Sequence, residues 1–445
     1  MKKILLLLSF ASFGVANAQS WVSQATGFSD PSRGIEEINI VNANLVWCLA
    51  YDGLGPTNVI QEFTKTTDGG TTWTPGIVNV FDTALGINNI CPLDANTAWV
   101  SAVNGTDGSG SVVYKTTDGG ATWFQQNAAG FTGPTSFVNF VHFFDANVGF
   151  AMGDPNGGEF EIWRSTNGGD TWTLVPGANI PPFQSGEYGY NGGNVVVGNT
   201  VWLPTNKGRI LKSTDQGLTW TITQAPLTDF GAALPANSGR LAFSDANNGC
   251  LIKTSGTVAA PVYTYYTTTN GGTTWSTGTP FSGTYRTLAY IPGSTTIVAT
   301  SAVTAAPGSA YSSNNGATWT EIDAGEQRGV VAFLDGSTGW CAGFSSDPFT
   351  DGIFKFDGTL GNADFSSTKN AFVATPNPAN SLVTISSEGI DAYQLNVTDL
   401  TGKIVLSKSM TGIENTVDVS SLSNGAYFFT IASDNKTETI KIIKN

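Results

Sequence analysis

Six arginines, a single histidine and a scatter of carboxylates set the chemistry open to this chain. Cleaving a glycosidic bond takes two carboxyl groups about 5–10 Å apart, one to protonate the leaving oxygen and one to act as nucleophile or base. Glu187, in the aromatic loop Phe183-Gln184-Ser185-Gly186-Glu187-Tyr188-Gly189-Tyr190, is the best single candidate, with Glu326, Asp154 and Asp347 as partners. A carboxylate substrate calls instead for clustered arginines, whose planar forks bind carboxylates bidentately. Arg33, Arg240, Arg286 and Arg328 recur at comparable places along the chain and meet that need on paper. The same arginines, with Phe183, Tyr188 and Tyr190, also suit a surface that binds a glycan, peptide or polymer by stacking and charge-assisted hydrogen bonds. The plain structural reading stands beside this one. The arginines would pair with acids such as Glu36, Glu37 and Glu326, and the tyrosines would pack their own loop. His142, in Phe140-Val141-His142-Phe143-Phe144, reads as a strand residue, which leaves His-based triads and multi-His metal sites without material. The glycine-rich stretch 105–110 is followed by no Gly-Lys-Ser/Thr and reads as a hairpin loop, not a phosphate cradle. No cofactor is implied, and the Asp-rich turns lack EF-type spacing, so calcium would be adventitious.

These side chains hang on a repeat. An octapeptide recurs at 66–73 (TTDGGTTW), 116–123 (TTDGGATW), 165–172 (STNGGDTW), 213–220 (STDQGLTW), 268–275 (TTNGGTTW) and 312–319 (SSNNGATW). Its fixed residues are Asp68 and Trp73, Asp118 and Trp123, Asn167 and Trp172, Asp215 and Trp220, Asn270 and Trp275, and Asn314 and Trp319. A period of 44–55 residues marks a repeat architecture. The acid or amide can accept N–H groups of its own turn, glycine permits positive φ, and Trp offers a large apolar face to a neighbour. A second motif runs in phase upstream, at 42–47, 94–99 and 145–150, with weaker copies at 198–202, 245–250, 292–298 and 335–340. Each reads as strand, tight turn, strand, so each repeat supplies four strands.

There are seven of these turns against six octapeptides. The last repeat ends Phe354-Lys355-Phe356-Asp357-Gly358 with no Trp, while Ser20-Trp21-Val22 resembles the opening of every fourth strand. The fold expected is all-β: a seven-bladed β-propeller of four-stranded blades over 19–358, closed by the N-terminal strand. A polar linker at 359–371 leads to alternating strands over 372–445, a small β-sandwich.

The six octapeptides resemble the Asp-box (BNR) repeats of sialidases, sortilin-type receptors, xyloglucanases and photosystem II assembly factors. That resemblance implies a propeller whose boxes are scaffold, and it covers families of unrelated function. Sialidase chemistry is disfavoured, because Arg33-Gly34-Ile35 poorly replaces the family's Arg-Ile-Pro motif. The end of the chain, with Pro376-Asn377-Pro378, Asp399-Leu400-Thr401-Gly402-Lys403, 422–427 (LSNGAY) and Lys441-Ile442-Ile443-Lys444, resembles a type IX secretion C-terminal sorting domain. It implies export by that machinery, with the product released or attached to the surface. Lys2-Lys3, an apolar run and Ala16-Asn17-Ala18 read as a signal peptide over 1–18, cleaved after Ala18.

Composition agrees with an exported binding protein. A formal charge of −14 repels nucleic acid and anionic lipid. No later run has the length of a transmembrane helix. Cys48, Cys250 and Cys341 occupy equivalent places in different repeats, too far apart to bridge, which with Cys91 points to buried free thiols. The function expected is a secreted or surface-displayed, non-catalytic propeller binding an extracellular glycan or protein, with a glycoside hydrolase as the alternative.

Overall fold

The computed structural model describes residues 19–360 and 372–445, except 55–58, 107, 127–129, 132, 134–135, 234–236, 258–259, 282–286, 388–391, 401–402 and 434–435. The leader at 1–18, most of the linker and Arg286 therefore lie outside the described residues. Contacts divide the chain into two units, 1–361 and 362–445.

Among the described residues of the first unit the strands form seven four-stranded antiparallel sheets. Six run in simple chain order, as in Arg33–Ile40, Val46–Asp52, Glu62–Thr66 and Thr74–Ile77. The seventh orders Val331–Phe333, Gly339–Ala342 and Gly352–Asp357, then adds Ser20–Ala25 from the start of the chain, with Trp21 opposite Phe356. Second strands such as Ala98–Val103 are buried along their whole length, because both faces of each sheet are covered. This is the architecture of a β-propeller.

Local chemistry builds the turns at one end of each sheet. Asp94 Oδ1 accepts from the N–H groups of Asn96 and Thr97 at 2.7 and 2.8 Å, and Asp145, Asp245 and Asp335 repeat the pattern. In the first octapeptide the Thr66 hydroxyl accepts from Gly70 N–H at 2.8 Å, and Asp68 accepts from the amide and hydroxyl of Thr72. Gly69 and Gly70 sit at φ +70° and +87°, which only glycine adopts freely. Where Asn replaces Asp the backbone acceptor stays and the side-chain bond reverses. Asn167 Nδ2 donates to the Thr171 hydroxyl, as Asn270 does to Thr274 and Asn314 to Thr318. Each box then docks on the first turn of its own sheet, Gly69 N–H donating to Asn44 O and Gly119 N–H to Asn96 O.

Neighbouring sheets are tied by a cation the sequence reading passed over. Lys65 lies 4.5 Å above the Trp47 ring and donates to Gly119 O in the next box at 2.6 Å. Lys115 over Trp99 reaches Gly168 O at 2.9 Å, and Lys355 over Trp340 reaches Gly69 O at 2.7 Å. Arg164 makes the equivalent bond to Gln216 O. Its signal was present in the Lys or Arg that precedes four of the octapeptides and in Lys355 before Phe356-Asp357-Gly358. All four cysteines are buried and free.

The second unit holds a three-stranded and a four-stranded antiparallel sheet sharing one core that includes Phe372, Leu395, Phe429 and Ile431. Its first strand, Phe372–Thr375, is short and runs directly into Pro376-Asn377-Pro378.

Candidate functional site: the loop-bearing end of the sheets

The opposite end of each sheet carries the starts of the first strands and the variable loops. Three successive first strands break register at the same place, between Ile35 and Glu37, Ile87 and Asn89, and Val138 and Phe140. A bulge inserts one residue and re-aims its neighbours. Here the extra residues are Glu36, Asn88 and Asn139. A cavity of about 580 Å³ opens beside them, lined among others by Glu36, Glu37, Asn88, Phe140, Tyr190 and Arg240.

The side-chain amides in this wall are spent on protein acceptors. Asn191 Nδ2 donates to Asn88 Oδ1 at 2.9 Å, Asn88 to Val138 O at 2.6 Å, and Asn89 to Val141 O at 2.8 Å. Carboxylates remain. Glu36 is exposed in the cavity yet surrounded by protein, and burial together with the Glu37 charge pushes its carboxyl up to about 8. Burial raises Glu37 to about 7, although the Ile90 N–H it accepts at 2.9 Å pulls the other way. Sequence reading had treated both only as arginine partners.

The arginines pair elsewhere. Arg33 engages Asp30, Asp52 and Glu62, and Arg328 engages Asp323, in place of Glu36, Glu37 and Glu326. Register explains the difference for Arg33: it stands opposite Asp52 at the strand's start, whereas Glu36 and Glu37 lie further along. Arg240 is exposed into the cavity and donates to Gly239 O.

Glu187 is 4% exposed and not a solvated loop acid. It forms a salt bridge with Arg209, accepts the Thr205 hydroxyl at 2.7 Å and takes Gln184 N–H at 2.7 Å. Burial alone would raise its carboxyl, but Arg209 and these donors hold it below the ordinary range. Glu326 is exposed. Asp347 is held low by the Thr350 hydroxyl and Phe349 N–H of its own turn. Phe183 packs edge-on against Phe160, 6.3 Å between centroids. Asp154, Tyr188 and Tyr190 do come together, in a second cavity of about 480 Å³. His142 lies in the strand Val138–Phe143, with Nδ1 3.5 Å from Cys91 Sγ, and burial lowers it to about 4.

Repeating four-stranded sheets with an in-phase Asp box define an Asp-box β-propeller, and solved structures share that fold. YCF48 bound to D1 peptide aligns with a TM-score of 0.50 and 14% identity over 77% of this chain and 97% of its own. YCF48 from Cyanidioschyzon merolae aligns at 0.51 and 14% identity, over 76% and 99%. PorZ, an essential bacterial surface component of the type-IX secretion system of Porphyromonas gingivalis, aligns at 0.44 and 14% identity, over 94% of this chain and 60% of its own. No curated protein matches the sequence.

Residues 374–445 match the secretion system C-terminal sorting domain. The chain is thus a propeller carrying a type IX sorting signal, which directs it to the cell surface or to release. No helix among the described residues is long and apolar enough to cross a membrane.

Proposed function

We propose that the seven sheets are seven blades of one ring, closed by Ser20–Ala25, whose loop-bearing end binds an extracellular ligand without catalysing a reaction on it. The domain limits that go with this reading are a signal peptide at 1–18, the ring at 19–358, a linker at 359–371 and the sorting domain at 372–445. Closure is supported by the repetition of one joint: Lys355 reaches the first box as Lys65 reaches the second. Gln24 Oε1 also accepts both Trp73 Nε1 and Trp340 Nε1 at 3.1 Å, joining the first and last sheets through the N-terminal strand.

The observation that carries the binding reading is the row of three bulges, two of which bring Glu36 and Asn88 to the wall of the larger cavity while the third brings Asn139 to the smaller one. Against hydrolysis, Glu187 is consumed by Arg209, and Asp154 is the single carboxylate among the described residues lining its own cavity. The ligand is expected to be a surface polymer, peptide or glycan met outside the cell, engaged through the Asp154, Tyr188 and Tyr190 region. Arg240 would serve the larger cavity. The exported protein applied to glycan and peptide arrays should capture at least one class, and Tyr188→Ala should weaken that capture. Capture that ignores every substitution around the two cavities would sink the assignment of the site.

A further inference from the structure

The smaller cavity has a defined chemistry. Phe137, Asn139, Asp154, Tyr188 and Tyr190 line it, with no lysine, arginine or histidine among the described lining residues. The tyrosine rings meet at a corner, 73° apart in plane with centroids 5.6 Å apart. Tyr190 is fixed there by its hydroxyl, which donates to Asp229 Oδ1 at 2.5 Å. Tyr188 stays 43% exposed at the mouth. Asp154 is oriented by Gly189 N–H at 3.0 Å and by the Asn139 side chain.

Asn139 supplies an independent pointer. It is 1% exposed, and its Oδ1 has no hydrogen-bond partner among the described residues. Its amide protons already go to Gly189 O and Asn191 Oδ1, at 3.4 and 3.3 Å. A buried acceptor without a donor is costly, about 1–3 kcal/mol. Carboxylate, spare amide oxygen and ring faces all call for the same partner, a group rich in N–H donors and positively charged.

We propose that this pocket binds an alkylammonium group, the lysine side chain of a peptide, seated between Asp154 and the rings of Tyr188 and Tyr190. The inference rests on the ligand-binding reading and names its chemistry. A corner of crossed rings suits a compact cation, whereas a pyranose stacks on a flat open face. Burial raises the Asp154 carboxyl to about 6, with Gly189 N–H and Asn139 partly offsetting it, so the site lacks a cation that a ligand would bring.

The test titrates the full exported chain with Nα-acetyl-lysine methylamide, its neutral isostere Nα-acetyl-norleucine methylamide, and glucosamine, followed by NMR. The lysine probe should bind at least tenfold more tightly than either of the others. Asp154→Asn and Tyr188→Ala should each weaken it at least tenfold. Tyr188 is exposed enough that its variant should keep the wild-type fold, so it decides the matter if Asp154→Asn is unstable. Equal binding of the norleucine probe, tighter binding of glucosamine, no binding of any probe, or undiminished binding by Tyr188→Ala would overturn the proposal. Polymer capture that survives while the lysine probe fails would remove this inference and leave the binding reading standing.

Discussion

Glu187 and Glu37 exchange roles once their surroundings are known. Glu187, in an aromatic loop, reads from sequence as a free acid, yet Arg209, 22 residues later, claims it. That partnership depends on the path of the intervening loop, which residue types do not encode locally. Glu187→Gln should therefore lower stability by about 3 kcal/mol, the usual result of breaking a buried pair, as read from a urea midpoint. An unchanged midpoint would return Glu187 to the list of free acids. Glu37 behaves the opposite way. Its carboxyl sits near 4.5 in the unfolded chain and about 7 in the fold, so between those values the folded state holds a proton that the unfolded state has released. Stability should fall as pH rises across that window, with Glu36 extending the fall towards about 8. Glu37→Gln should flatten the slope and raise the melting temperature at pH 8.5. A slope of the same size in that variant would place the effect elsewhere.

At the scale of elements, the legible parts are those whose causes lie within a few residues. The Asp box is one, because a hydroxyl, an acid or amide, and one or two glycines at fixed offsets dictate the turn by themselves. Asp68, held at about 2 by the Thr72 hydroxyl and N–H and the Thr66 hydroxyl, needs nothing from outside its own box. The bulges were not legible: one extra residue in an already irregular alternation leaves Glu36, Asn88 and Asn139 looking like ordinary strand positions. The lysine joints lie between these cases, since the residue repeats visibly while its partner sits in the next sheet. Lys115→Met removes a hydrogen bond to Gly168 O and a cation above Trp99, and should cost about 1–2 kcal/mol. Because the acceptor is a carbonyl and not a carboxylate, that loss should persist in high salt. Recovery of stability at 1 M salt would point to an ordinary surface ion pair.

At the scale of the whole molecule, the proposed ring rests on the pairing of Ser20–Ala25 with Gly352–Asp357. Gln24→Ala would leave the indole N–H groups of Trp73 and Trp340 without their shared acceptor, at about 1–3 kcal/mol each. Removing residues 19–25 should do more, exposing the edge of Gly352–Asp357 and driving association between chains, visible by light scattering. A stable monomer without those residues would argue against closure by the N-terminal strand. The sorting domain delivers the propeller to the cell surface or to release, and the loop-bearing end of its sheets is where binding should be sought. The most direct measurement pairs capture with turnover. The full exported chain is incubated with each polymer it retains, and products are followed alongside binding. Saturable binding that Tyr188→Ala weakens, with no product released, is the outcome expected. Release of cleaved product that Asp154→Asn abolishes would contradict a non-catalytic propeller and establish a hydrolase.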